Sequence, residues 1–147
     1  MMKAEISFKR AEREDRPFLL ALRKSSMNEH LHAAGITLND EQHLQRIDEF
    51  FEDSFLIKYN QRSIGLVKLA LLPERLHLRQ LQLIPEFHNG GIGGKVLSLI
   101  KMKAKERELP ITLNVLLDNP AKRLYEREGF IVEGQTDLEY QMRWQVR

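Results

Sequence analysis

Residues 81–99, LQLIPEFHNGGIGGKVLSL, decide the fold of this chain. Four of its eight glycines stand here, at positions 90, 91, 93 and 94, between a predicted strand and a predicted helix. In such a strand–turn–helix, backbone N–H groups point into the turn and the helix dipole adds partial positive charge. Glycines let the backbone approach a ligand because no Cβ stands in the way. The stretch therefore predicts a turn that binds phosphate groups.

Two well-known phosphate-binding motifs match this spacing poorly. The P-loop pattern, G-x-x-x-x-G-K-[ST], places Asn89 at its first glycine and Val96 at its Ser/Thr position. The dinucleotide pattern, G-x-G-x-x-G, fits Gly91 and Gly93 but meets Val96 where a small residue is needed. The spacing favours neither motif.

The residues before the turn predict an antiparallel meander of three strands. These strands cover residues 54–59, 63–72 and 75–84, with tight connections at Asn60-Gln61 and Pro73-Glu74. The third strand breaks its own alternation, because its leucines stand at even positions 76 and 78 and then at odd positions 81 and 83. A β-bulge near Arg79-Gln80 would restore the alternation, whereas a strand buried on both faces would not need one.

The residues upstream predict one strand and two helices. The strand covers 5–10 and the first helix covers 14–26, while 27–40 form a broken helix and a loop around Gly35. Asn39 or Asp40 caps the second helix. Its predicted apolar face consists of Leu44, Ile47, Phe50 and Phe51.

The residues downstream predict a helix over 92–107, a strand over 111–117 and a helix from Asn119-Pro120 to Glu128 that Gly129 closes. A final hairpin pairs 130–136 with 138–144. The predicted order is β-α-α-β-β-β-α-β-α-β-β. This order indicates a mixed α/β (α+β) fold: one domain over residues 1–147, with a mostly antiparallel sheet of six to seven strands and about four helices.

Composition narrows the class of protein. The 147 residues include no cysteine, which excludes disulfides, thiolate metal sites and cysteine nucleophiles. A net charge of +2 gives little support for nucleic-acid binding, and the basic residues of helix 92–107 are interrupted by Glu106 and Glu108. Because the sequence offers no signal peptide and no long apolar run, we expect a cytoplasmic protein without membrane segments.

Two motifs together resemble the GNAT superfamily of N-acetyltransferases. His88, Gly91 and Gly93 occupy the positions of the family's acyl-CoA motif, [Q/R]-x-x-G-x-[G/A], with histidine replacing the usual Gln or Arg. The stretch 115–130, VLLDNPAKRLYEREGF, is similar to the family's next motif, N-x-x-A-x-x-x-Y-x-x-x-G-F. Ala121, Tyr125, Gly129 and Phe130 match its spacing, whereas Asn119 stands two residues before Ala121 instead of three. The predicted element order also resembles that of the family over nearly the whole chain.

The resemblance implies transfer of an acetyl group from acetyl-CoA to a primary amine of a small molecule, amino acid or protein, by direct attack on the thioester. It implies no metal. Tyr125 would protonate the leaving thiolate. The residues implied in cofactor binding are Leu81, Gln82, Leu83, His88, Asn89, Gly90, Gly91, Ile92, Gly93, Gly94, Asn119 and Lys122. For Asn119 a helix cap is an additional role, and for Lys122 a solvated helix face is an alternative.

The base and the acceptor stay open. Strand 75–84 has no acidic residue, which leaves several polar groups or a water chain to accept the proton of the amine. These groups are His77, Gln80, Gln82, Asn114, Glu29, His30 and His32. A non-catalytic acyl-CoA-binding or regulatory module on the same fold is the alternative function. The last strands, 130–144, could pair between chains to form a homodimer.

Overall fold

The computed structural model describes the backbone of residues 5–33 and 38–145, and the side chains of 5–25 and 38–145. These residues form seven strands and four α-helices in the predicted order. The helices are α1 (Arg16–Ala33), α2 (Asp40–Asp48), α3 (Ile92–Arg107) and α4 (Ala121–Arg127). The strands are β1 (Ile6–Arg10), β2 (Ser54–Tyr59), β3 (Arg62–Leu71), β4 (Leu76–Leu83), β5 (Ile111–Leu116), β6 (Ile131–Gln135) and β7 (Glu139–Trp144).

The strands form one mixed sheet in the order β1-β2-β3-β4-β5-β7-β6. The pairs β1–β2, β2–β3, β5–β7 and β6–β7 are antiparallel, and β4–β5 is parallel. This confirms the predicted fold class. Contacts divide the chain into a first unit, Met1–Lys68 with Gln80–Asn89, and a second unit, Leu69–Arg79 with Gly90–Arg147.

In the first unit, α1 and α2 cover an apolar cluster with strands β2 and β3. Leu19 and Leu22 of α1 pack there with Ile47 of α2, and β2 and β3 contribute Leu56 and Leu66. Side chains at these positions recur with the period of a helix or of a strand, so that each element turns one apolar face inward.

Lys68 is a buried charge in this unit, with 4% of its surface exposed. Its ammonium group donates to the carbonyl oxygens of Arg46 (3.2 Å), Ile47 (3.0 Å) and Glu49 (2.6 Å) at the C-terminal end of α2. These carbonyls have no partner within the helix, and the negative end of the helix dipole favours a cation there. Lys68 therefore holds the end of α2 to the sheet.

Helix α1 is longer than the sequence predicted. It continues past residue 26 to Ala33, because no proline or glycine stands between Pro17 and Gly35 to end it. Gly35, around which the sequence predicts a loop, lies outside the described residues.

Helix α2 begins as predicted and ends earlier than predicted. Asn39 caps it, and its side chain accepts from Gln42 N at 2.8 Å while the Gln42 side chain accepts from Asn39 N. The helix ends at Asp48, and Phe50 adopts a left-handed conformation (φ 53°) with 49% of its surface exposed. The inclusion of Phe50 and Phe51 in this helix was therefore wrong, although Phe51 still packs against the apolar cluster from the turn that follows.

The tight connection between β2 and β3 is confirmed at Asn60-Gln61. Both residues have positive φ, at 48° and 75°, as a two-residue hairpin turn of type I′ requires. Two residues in such a turn let the right-handed twist of both strands continue without a break.

In the second unit, α3 buries one face that includes Val96, Leu97, Ile100 and Ala104. Its Lys101 donates to the carbonyl oxygen of Glu128 and also approaches the Glu128 carboxylate at 3.5 Å. This contact fixes the C-terminal end of α4 against the middle of α3. Gly129, with φ of 91°, then ends α4 as the sequence predicted.

Candidate functional site

The N-terminal end of α3 is built from the glycine-rich turn. Gly91 is the N-cap residue with φ of 80°, and no described side chain caps the helix there. Asn89 also has a positive φ, at 61°. The first N–H groups of an α-helix have no partner within the helix. This turn therefore presents backbone donors and the positive end of a helix dipole together.

Two glycines of the turn serve different purposes. A Cβ at Gly91 would meet nothing within 4 Å, so the space beside it is open, and its backbone conformation is one that favours glycine. A Cβ at Gly93 would lie 2.9 Å from Leu124 Cδ2. Gly93 therefore allows α3 to pack closely against α4, the helix that carries Tyr125.

The side chain of His88 forms a hydrogen bond with the end of β4. Its Nε2 atom lies 2.8 Å from the carbonyl oxygen of Leu83, and because a carbonyl only accepts, Nε2 carries the proton. The motif alone did not predict this bond. It ties the residue that begins the turn to the end of the strand that precedes it.

Strand β4 contains one residue more than the part of β3 opposite it. Ile84 N donates to Ile64 O near one end of the pair, and Leu72 N donates to Arg75 O near the other. The chain advances eight residues from Ile64 to Leu72 but nine from Arg75 to Ile84. The extra residue is the bulge that the leucine pattern predicted, and it returns Leu81 to the face of Leu78.

The pairing of β4 with β5 is short. Three residue pairs join them, and the last is Leu78 with Leu113. Strand β4 continues to Leu83 and β5 continues to Leu116. The predicted cofactor-binding residues of β4, Leu81, Gln82 and Leu83, all lie beyond the paired segment and are half-buried.

Tyr125 lies inside the second unit with 7% of its surface exposed. Its ring packs edge-on against Phe130, with 5.9 Å between the ring centres. Burial raises the pKa of Tyr125 to about 12. The phenol therefore keeps its proton throughout the neutral range and is a donor.

Two other predicted residues of the second unit have partners of their own. Asn119 Oδ1 accepts from Ala121 N at 2.9 Å, so its side chain caps the first N–H of α4. The helix begins one residue later than predicted, with Pro120 rather than Asn119 as its N-cap residue. The Lys122 ammonium lies 4.6 Å from the centre of the Tyr140 ring and 3.5 Å from the Glu126 carboxylate. The Lys122 side chain is thus already engaged, and the buried side chain of Ile92 leaves only its backbone for a ligand.

The predicted base candidates differ in what they can do. His77 is half-buried, and its Nδ1 lies 2.7 Å from Thr112 Oγ1. Burial, and then Arg75 and Arg79, lower the pKa of His77, which leaves the ring neutral at pH 7. Amide side chains cannot serve as bases. The side chains of Glu29, His30 and His32 lie outside the described residues.

Metal-binding clusters and membrane-spanning helices are both missing from the part of the chain that the structure describes. Across the described side chains, no three His, Asp or Glu residues gather closely enough to hold a metal ion. Among the described helices, none combines the length and the apolar character that crossing a membrane demands.

The comparison with known families assigns the class. The sequence model of the acetyltransferase (GNAT) family matches residues 17–130. The chain therefore belongs to the GNAT family of acetyltransferases. No curated protein sequence matches it.

Solved structures with a similar fold cover nearly the whole chain. PaiA N-acetyltransferase from Thermoplasma acidophilum, in complex with coenzyme A, shares 22% identity and a TM-score of 0.74 over 97% of this chain and 99% of that one. An acetyltransferase from Thermus thermophilus is 17% identical in sequence and has a TM-score of 0.80, over 96% of this chain and 97% of that one. Arabidopsis thaliana Naa50, in complex with the bisubstrate analogue CoA-Ac-MVNAL, is 16% identical in sequence and has a TM-score of 0.69, over 96% of this chain and 99% of that one.

Proposed function

We propose that this protein is an N-acetyltransferase that transfers the acetyl group of acetyl-CoA to a primary amine. The observation that carries the proposal is the glycine-lined start of α3, which no described side chain caps and which packs through Gly93 against the helix that holds Tyr125. Membership of the family and the coenzyme A bound to a structural relative support it.

The turn would hold the pyrophosphate of the cofactor. Successive N–H groups from Asn89 to Gly94 would donate to phosphate oxygens, and the open space at Gly91 leaves room for them. The backbone of Leu81–Leu83 would pair with the amides of the pantetheine arm, because β4 extends past its pairing with β5. Asn119 would approach the same arm from the start of α4, while Lys122 would add positive charge only after leaving Tyr140.

The chemistry would be a direct attack. The neutral amine adds to the thioester carbonyl, the C–S bond breaks, and the sulfur takes the phenol proton of Tyr125. The surplus proton of the former amine then restores the phenol, so that the products are the amide and the free thiol. A phenol with a pKa of about 12 stays protonated until that moment.

An amine that arrives as an ammonium ion must first lose one proton. Among the candidates whose side chains the structure describes, the neutral ring of His77 can accept it, and a water chain to solvent is the alternative. Neither route requires an acidic residue in β4.

The test combines a binding measurement with a turnover measurement. Calorimetric titration with acetyl-CoA and CoA should show binding, and a panel of amines should release the CoA thiol. Tyr125→Phe should bind CoA as the native chain does, but kcat should fall roughly 10- to 100-fold. Arg127→Gln, at an exposed position of the same helix, serves as the control.

The outcomes separate the two functions. Binding without turnover of any amine would favour the non-catalytic acyl-CoA-binding module. Absence of binding by a folded protein would contradict both functions.

We also propose that two chains pair through β6 into a homodimer. Strand β6 is the last strand in the sheet order, and Ile131 and Val132 are exposed to 66% and 41%. An unpaired strand edge with apolar side chains favours pairing with another chain. Sedimentation should show a dimer that Val132→Lys converts to a monomer, and a native monomer would contradict the pairing.

A further inference from the structure

The side of the first unit where α1 and α2 lie together contains a cation that is only partly satisfied. Arg23 follows Leu22, whose side chain packs in the apolar cluster with Ile47 and Leu66. The Arg23 side chain is half-buried. It therefore lies at the edge of the cluster rather than extended into solvent.

The hydrogen bond of Arg23 goes to a neutral group. Its Nε donates to Nδ1 of His43 at 3.1 Å, and His43 is fully buried. Burial, and then Arg23 itself, lower the pKa of His43, which keeps the imidazole uncharged at neutral pH. Among the described residues, none forms a hydrogen bond or ion pair with the two terminal nitrogens of Arg23.

Within the described part of the chain, the charges near Arg23 do not supply a full counterion. Arg46 and Lys68 add positive charge near Arg23. The ammonium group of Lys68 donates its hydrogen bonds to backbone carbonyl oxygens. Glu49 is the acidic residue that acts on Arg23, but its carboxylate lies 3.6 Å from Arg46. Burial, and then Arg46, lower the pKa of Arg23. A guanidinium in this position would be stabilised by an anion.

The same face of the sheet includes part of the predicted cofactor strand. The bond from Ile84 N to Ile64 O sets the register of β4 on β3, which places Gln82 opposite Leu66. Residues directly opposite in neighbouring strands point to the same face. Gln82 therefore lies on the face of the sheet that α1 and α2 cover. Arg23 of α1 lies on the same side of the sheet.

We propose that the terminal nitrogens of Arg23 bind a carboxylate of the acceptor, so that the substrate is an amine that also carries a carboxylate, as a free amino acid does. The inference rests on the proposed acetyltransferase function and names its substrate class. Guanidinium is the side chain that matches a carboxylate with two parallel hydrogen bonds. The amine of such an acceptor would then point toward β4.

The first experiment uses the native protein and pairs of acceptors that differ in one group. Thiol release is followed with β-alanine against β-alaninamide, and with glycine against glycinamide, at equal concentrations of neutral amine. The acid of each pair should have a kcat/KM roughly 10- to 100-fold higher, mainly through KM. Propionate should compete with β-alanine, whereas propionamide should not.

The second experiment changes the cation. Arg23→Gln should remove the preference for the acid while leaving CoA affinity and kcat for the amides unchanged. Arg23→Lys, which keeps a positive charge, should retain part of the preference for the acid. Arg46→Gln, which alters a neighbouring exposed cation, is the matched control and should keep the preference. Circular dichroism checks that each variant folds.

The outcomes are distinct. Equal rates for acids and amides in the native enzyme, or a preference that survives Arg23→Gln, would overturn this inference and leave the acetyltransferase function standing. If CoA binds but no amine is acetylated, both the carboxylate-binding role of Arg23 and the acetyltransferase function are contradicted. If Arg23→Gln does not fold, competition by propionate against propionamide in the native protein still decides.

Discussion

Helices α2 and α3 begin in opposite ways. The start of α2 is closed, because Asn39 and Gln42 each accept a backbone N–H of the other. The start of α3 has Gly91 in a left-handed conformation and no cap from a described side chain. The first arrangement satisfies the helix within the protein, whereas the second leaves donors for something else.

The difference shows how a helix terminus can be assigned to structure or to binding. A capping side chain stabilises a helix by about 1 kcal/mol. The α3 turn forgoes that contribution and also contains four glycines, which cost conformational entropy on folding. A bound phosphate would return that stability, which is why the uncapped terminus is the better candidate site.

Adding a negative charge to the open terminus should have the largest effect. Gly91→Glu introduces a side chain into the turn in a strained conformation and opposes the phosphates, so CoA affinity should fall more than about 100-fold. Calorimetry measures the loss. Met102→Glu, an exposed position on the same helix, is the control and should bind normally; equal loss in both variants would contradict the assignment.

The start of α4 offers an intermediate case, because Asn119 is both a cap and a predicted cofactor contact. Asn119→Asp keeps the acceptor for Ala121 N, so its stability should change little. Its charge should weaken CoA binding roughly 10-fold if the side chain approaches the cofactor. Asn119→Ala should instead lower stability by about 1 kcal/mol. Unchanged CoA affinity in Asn119→Asp would make Asn119 a cap alone.

Opening the closed terminus should affect stability alone. Asn39→Ala removes the reciprocal bonds with Gln42 and should lower the free energy of unfolding by about 1 kcal/mol, as urea denaturation would show. CoA affinity should stay the same. Asn39→Ser, which retains a capping oxygen, is the control, and a change in CoA affinity would mean that this terminus also serves binding.

Mild acid should produce the smallest effect and should separate the two helices. Burial lowers the pKa of His43 in α2, so the unfolded chain takes up a proton at this residue first as the pH falls. The contribution of neutral His43 is complete well above pH 6.5 and is lost progressively below it. Hydrogen exchange at pH 5.5 should accelerate in α2 relative to α3, and a larger acceleration in α3 would contradict this.

The sequence was sufficient for most of the fold because the decisive signals are local. Strand β2 and helix α3 match their predicted bounds, and Asn60-Gln61 and Gly129 adopt the positive φ that their residue types favour. The bulge could be predicted because a change of parity leaves few alternatives in a strand.

What the sequence could not supply are contacts between distant residues. Lys68 would be expected in solvent, and nothing local indicates that the end of α2 lies within its reach. The bond from His88 to Leu83 depends on the conformation of the residues between them. The engagement of Lys122 with Tyr140 requires the position of β7. The sequence could therefore name motif residues for the candidate site, but it could not supply their side-chain partners.

The extra residue in β4 has a consequence for protein engineering. Deleting Gln80 would equalise the chain lengths between the two anchoring bonds and give the leucines an unbroken alternation. Such a shortened chain would form a more regular sheet and should melt at a higher temperature. It would also remove the unpaired residue that a bulge leaves in the ladder beside the predicted cofactor residues, so the gain in stability should come with a loss of cofactor affinity.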